Sequence, residues 1–60
     1  MKKFGNVEIS KVETVRLNGR LTNVYEVRRI AGNTRIFDGR FSGKTYKEAY
    51  DAYLNAEYEA

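Results

Sequence analysis

The sequence predicts an α+β fold: a three-stranded antiparallel meander with one C-terminal helix packed on one face, in the order β-β-β-α. Three observations predict it. Two β-rich runs flank Asn18-Gly19, a dipeptide suited to the positive φ angles that a two-residue hairpin turn needs. A second tight-turn pair, Gly32-Asn33, separates the second run from a third. A capping box, Thr45-Tyr46-Lys47-Glu48, then opens a stretch in which apolar residues recur at helical spacing.

Each element has its own signal. Residues 1–5 (Met-Lys-Lys-Phe-Gly) read as a short, partly ordered arm. Residues 7–17 carry Val7, Ile9, Val12, Val15 and Leu17. That is a period of two with one phase slip, as in a strand with a bulge. Residues 21–31 hold Val24, Tyr25, Val27 and Ile30, which favour a strand. Residues 34–41 contain Ile36, Phe37 and Phe41, and Gly39 within them marks a bulge or a close backbone approach.

In the capping box the Thr45 hydroxyl accepts from the amide three residues on, while Glu48 reaches back to the Thr45 amide. A helix over 46–57 then places Tyr46, Ala49, Tyr50, Tyr53 and Leu54 on one stripe. Ala49, Ala52 and Ala56 are small, so this helix can lie close to a sheet. Lys47, Glu48, Asp51 and Asn55 form its wet side. Glu57 and Glu59 fall at the negative end of the helix dipole, which predicts fraying.

Composition narrows the chemistry. The chain has 60 residues, enough for one domain. It is 42% hydrophobic and 32% charged, too apolar for a disordered tail. Cysteine and histidine are both absent, which removes thiolate nucleophiles, disulfides and the commonest transition-metal ligands. We therefore expect no enzyme, no metal and no cofactor. No apolar run approaches the roughly 18 residues of a membrane span, and no secretory pattern opens the chain. The expectation is a cytoplasmic protein without a membrane partner.

The net charge of +3 conceals a split. All 11 basic residues lie within 1–47, against Glu8, Glu13, Glu26 and Asp38. Residues 48–60 hold only acids: Glu48, Asp51, Glu57 and Glu59. A basic body is the electrostatic condition for a polyanionic partner.

One sheet face must stay open if a single helix covers the other. Strand alternation across a two-residue Gly32-Asn33 turn gathers Val24, Glu26, Arg28, Ile30, Arg35, Phe37 and Gly39 on one face. Tyr25, Val27, Arg29, Ala31, Ile36 and Asp38 fall on the other. The expectation places Tyr25, Val27 and Ile36 against the helix and leaves Arg28, Arg35 and Phe37 open. Arginine pairs with guanine edges or phosphates, and a ring can pack on a sugar or base.

The run Arg35-Ile36-Phe37-Asp38-Gly39-Arg40-Phe41, followed by Thr45, Glu48-Ala49 and Ala52-Tyr53, resembles the end of an AP2-type DNA-binding domain. It is also similar to the arm-type DNA-binding domain of tyrosine integrases. Tyr25-Glu26-Val27-Arg28 resembles the second AP2 strand, so the resemblance covers residues 24–53. It implies three antiparallel strands and a helix that read the major groove with the sheet. Glu26, Arg28, Arg35 and Phe37 would face DNA, with Phe37 standing where the family usually has tryptophan. The chain departs from the family in two places. Residues 7–17 carry only Lys11 and Arg16 instead of an arginine cluster, and residues are inserted between Phe41 and Thr45.

Ser42-Gly43-Lys44-Thr45 ends like a phosphate-binding loop, but three residues separate Gly39 from Gly43 where the motif needs four. Nucleotide hydrolysis is therefore not expected, although a basic loop before a helix N-terminus suits a phosphate. The leading expectation is a small nucleic-acid-binding module, with duplex DNA as partner, using Arg16, Arg20, Glu26, Arg28, Arg35, Phe37 and Lys44. The alternative resembles, in size and composition only, small phage-type protein inhibitors such as anti-CRISPR proteins. It would bind a host nucleic-acid-binding protein through Tyr46, Tyr50, Asp51, Glu57 and Tyr58, since tyrosine is enriched at binding hot spots. Two edge strands also leave a homodimer open.

Overall fold

The computed structural model describes residues 1–59, with side chains through residue 56. Four strands precede one helix: β1 Lys2–Phe4, β2 Val7–Leu17, β3 Arg20–Ala31, β4 Thr34–Gly43 and α1 Tyr46–Glu59. The strands form one antiparallel sheet in sequence order. The α+β class stands, with one strand more than expected.

The extra strand is the segment expected to be an arm. Gly5-Asn6 is the same turn pair as Gly32-Asn33, and Gly5 and Gly32 have φ of 62° and 61°. Positive φ at the first central position suits a two-residue hairpin turn. Phe4 then pairs with Val7, and its ring stacks on Tyr50 at 4.4 Å with the planes 6° apart. That aromatic contact gives a three-residue strand something to hold besides its ladder.

Asn18-Gly19 turns β2 into β3, with both residues at positive φ (51° and 78°). The expected phase slip in β2 lies between Lys11 and Glu13, making Val12 the extra residue. A second bulge interrupts β4. Val27 pairs with Gly39 while Arg28 pairs with Phe37, so Asp38 is inserted between them. Gly39 there adopts φ 122°, which side-chain-bearing residues rarely reach.

The core is thin and one-sided. Val7, Ile9, Tyr25 and Val27 meet Ala49 and Tyr53 of the helix, with Phe4, Phe41, Tyr46, Tyr50 and Leu54 around them. Full burial of an aliphatic chain such as Ile9 or Val27 contributes about 1.5–3 kcal/mol. Tyr46 lies 5.0 Å from Tyr25, and Tyr53 meets Phe41 edge-on at 5.7 Å. The predicted helix stripe is the buried one. Ile36 is on the expected face but outside the core cluster, and Phe41 packs there instead. The bulge at Asp38 is the cause, because it turns Phe41 toward the helix.

The helix start differs in one detail. The Thr45 hydroxyl accepts from the Glu48 amide at 3.1 Å, as expected. The Glu48 carboxylate accepts from the Lys44 amide at 3.0 Å, one residue earlier than the capping box predicts. A Cβ on Gly43 would lie 2.9 Å from the Glu48 Cβ, so the strand end and the helix start meet too closely for a side chain. The helix continues to Glu59, two residues past the expected end.

Candidate nucleic-acid interface

The helix covers one face of the sheet and leaves the other bare. Side-chain alternation, corrected for the two bulges, defines the bare face. A row crosses all four strands: Lys3 opposite Glu8, Glu8 opposite Arg28, Arg28 opposite Phe37. A second row places Ser10 opposite Glu26 and Glu26 opposite Arg40. Arg35, opposite Ile30, completes the group.

Two carboxylates organise the cations. Glu8 is only 4% exposed although no helix lies over it. The Arg35 Nε donates to its Oε1 at 2.8 Å, and the Lys3 ammonium sits 3.6 Å from its Oε2. Long basic side chains lying across the sheet can bury an acid in this way while keeping their own charges in water. The Arg35 hydrogen bond holds the Glu8 carboxyl below the usual carboxylate range, against the opposing effect of burial. Glu26 accepts one hydrogen bond on each oxygen, from Arg28 and from Arg40, both at 3.0 Å. Its carboxyl is likewise held low, chiefly by Arg28. Lys3, Arg28, Arg35 and Arg40 against Glu8 and Glu26 leave this group positive.

Phe37 lies among these charges and is 53% exposed. The Arg28 guanidinium carbon stands 5.3 Å from its ring centroid, within cation–π range. An exposed ring flanked by guanidinium groups with fixed orientations can stack on a base or sugar and donate to phosphate or base edges.

The predicted residues separate into three sets. Glu26, Arg28, Arg35 and Phe37 come together on the bare face. Arg20 follows at the far end of the β2–β3 hairpin, and Arg16 sits there on the opposite face, across from Leu21. Lys44 lies in the β4–α1 connection. Its carbonyl accepts from the Asn23 side-chain amide at 3.2 Å, away from the cluster. The Lys44 and Glu48 amides are already bonded to Glu48 and Thr45, so those two donors are not open to a phosphate. On the helix, Tyr46 and Tyr50 pack against Tyr25 and Phe4, and Asp51 pairs with Lys47 at 2.7 Å. The side chains of Glu57 and Tyr58 lie outside the described residues.

Lys3, Glu8 and Arg40 belong to the face without having been anticipated. Lys3 comes with the extra strand. Arg40 arrives through the bulge, which reverses the alternation after Phe37. Glu8 had a signal: it alternates with buried Val7 and Ile9, which aims it at the bare face.

On the helix side, Asp38 accepts from the Tyr53 hydroxyl at 2.7 Å and the Arg29 Nε at 3.1 Å. Tyr53 first, then Arg29, lowers its carboxyl. This contact ties the bulge to the helix. No helix among the described residues is long and apolar enough to cross a membrane. Comparisons of the chain with protein-family models, curated proteins and solved structures give no match.

Proposed function

We propose that the bare face of the sheet binds nucleic acid, with duplex DNA as the partner. The observation that carries this reading is Phe37: a half-exposed ring under the Arg28 guanidinium, at the end of the row Lys3, Glu8, Arg28 that crosses the sheet. A half-exposed aromatic in a domain this small gives up apolar burial that the fold could use. Its surroundings offer it a base or a sugar instead. Glu8 and Glu26 hold Arg35, Arg28 and Arg40 in set positions, which favours specific hydrogen bonding over diffuse attraction. Glu26, Arg28, Arg35 and Phe37 are also the residues that the AP2-type resemblance assigns to DNA. Tyr46 and Tyr50, by contrast, are partly buried and pack their rings on Tyr25 and Phe4, which favours the sheet over the helix as the working surface.

Titration of a labelled duplex at rising salt tests the reading. Affinity is expected at low salt and should fall steeply as salt rises, through counterion release. Combined Arg28→Glu and Arg35→Glu substitution should abolish it. Absence of binding at the lowest salt would remove the proposal.

A further inference from the structure

The ion pairs divide the basic residues into two groups. Lys3, Arg28, Arg29, Arg35, Arg40 and Lys47 each have a carboxylate partner. Among the described residues, Lys2, Lys11, Arg16, Arg20 and Lys44 have none. Three of these, Lys11, Arg16 and Arg20, lie along one element, the β2–β3 hairpin, while Lys2 is on β1 and Lys44 in the β4–α1 connection.

That hairpin outruns the rest of the sheet. β1 pairs no further than Ile9, and β4 ends opposite Asn23. Residues 15–22 are therefore a two-stranded ribbon extending about 10 Å past the sheet. Thr14 braces its base by donating to the Asn23 side chain at 2.7 Å. At the tip Arg16 faces Leu21 and Leu17 faces Arg20, so each side of the ribbon presents one guanidinium beside one leucine. Leu17 and Leu21 are 55% and 62% exposed. A two-stranded ribbon carrying bare leucines is poorly stabilised by itself.

We infer that this hairpin tip is the phosphate-gripping arm of the interface, with Arg16 and Arg20 on the sugar–phosphate edges of a duplex and the two leucines against the groove wall. The inference rests on the nucleic-acid reading of the bare face and divides the labour within it. Guanidinium groups held by Glu8 and Glu26 are already partly neutralised and suit directional contacts, whereas unpaired ones release the most counterions on meeting phosphate. A two-stranded ribbon fits a DNA groove, and apolar side chains beside arginine suit its floor and walls. The arm continues the strands that carry Glu8, Glu26 and Arg28, so both parts can engage one duplex.

The experiment measures the salt dependence of duplex binding by fluorescence anisotropy for three variants. Circular dichroism verifies that each is folded, as expected for residues outside the core. Combined Arg16→Ala and Arg20→Ala should reduce the slope of log affinity against log salt by about two, one for each lost phosphate contact. Combined Arg28→Ala and Arg35→Ala should weaken binding with a smaller change in slope. Combined Leu17→Ser and Leu21→Ser should weaken binding with the slope unchanged. If the wild-type chain binds but the arm variant keeps the full slope, the arm assignment is overturned while the bare-face reading stands. If the wild-type chain fails to bind at the lowest salt, the bare-face reading fails and takes this inference with it. If the leucine variant loses adsorption to phosphatidylglycerol vesicles while its duplex affinity is unchanged, the tip is a membrane contact and the assignment is wrong.

Discussion

Arg28 and Phe37 stand directly opposite each other on β3 and β4, and the guanidinium carbon lies 5.3 Å from the ring centroid. The same guanidinium donates to Glu26 at 3.0 Å. Arg28 is thus held by an acid on its own strand and by a ring on the next. The pair is a local device: it keeps a charged group aligned on a surface where solvent would otherwise let it wander.

Phe37→Ala separates a surface role from a core role. Half of the ring is in water, so its loss should cost about 1 kcal/mol or less of stability. Duplex affinity should fall about tenfold if the ring stacks on a base. Thermal melting and anisotropy on the same sample check both. Unfolding of the variant would show that the ring belongs to the fold and not to a binding surface.

Acid should loosen the bare face. Glu8 and Glu26 are both held below their ordinary values by arginine. A lowered carboxyl contributes stability that is present above the unfolded-state value, at neutral pH, and is lost as pH falls through the folded-state value. Urea midpoints should therefore drop between about pH 7 and about pH 3. Glu8→Gln should be less stable than wild type at neutral pH and show a flatter profile, because Arg35 and Lys3 lose their counter-charge. A variant profile parallel to wild type would mean that Glu8 is not the group responsible.

Gly43→Ala should destabilise the chain by about 1–3 kcal/mol. The new methyl would meet the Glu48 Cβ at 2.9 Å and the Ala49 nitrogen at 3.1 Å, and neither is the free end of a side chain. Relief requires the helix start to move away from β4, which would also disturb the Glu48 bond to the Lys44 amide. Equilibrium unfolding measures the loss. A neutral result would place the helix start farther from the strand.

Tyr53→Phe removes the hydroxyl bonded to Asp38 at 2.7 Å. The cost should be about 1.5–3 kcal/mol, since the acceptor is charged. It should shrink as pH falls, because Tyr53 is the main cause of the lowered Asp38 carboxyl and protonation of Asp38 weakens a bond that only the wild-type chain makes. Denaturation of the two proteins at neutral and acid pH gives the difference. A gap independent of pH would show that the hydroxyl does not act through the charge of Asp38.

Local signals carried most of the fold. Asn18-Gly19, Gly32-Asn33, the Thr45 cap and the alanine-tyrosine stripe each act over a few residues, where backbone geometry leaves few options. The first strand escaped for a reason of scale. Gly5-Asn6 is an equally good turn, but three residues are too few to show a period of two, and what holds them is the stack of Phe4 on Tyr50, 46 positions away. The candidate face was legible where alternation ran unbroken, which is why Glu26, Arg28, Arg35 and Phe37 came together. It failed at Arg40, where Gly39 had announced a bulge without saying which residue would be inserted.

The sequence by itself determined the turns, the helix with its buried stripe, and the alternation that puts guanidinium groups beside an exposed ring. All of these follow from φ preferences and side-chain periodicity within a dozen neighbouring residues. Only the tertiary structure decided that Glu8 lies beneath Arg35 and Lys3, that Arg40 joins Glu26, and that Arg16 and Arg20 are left unpaired on a ribbon beyond the sheet. Those outcomes depend on which strands pair, where each one ends and where a bulge reverses its faces. Register brings distant residues together, and no short stretch of chain contains it.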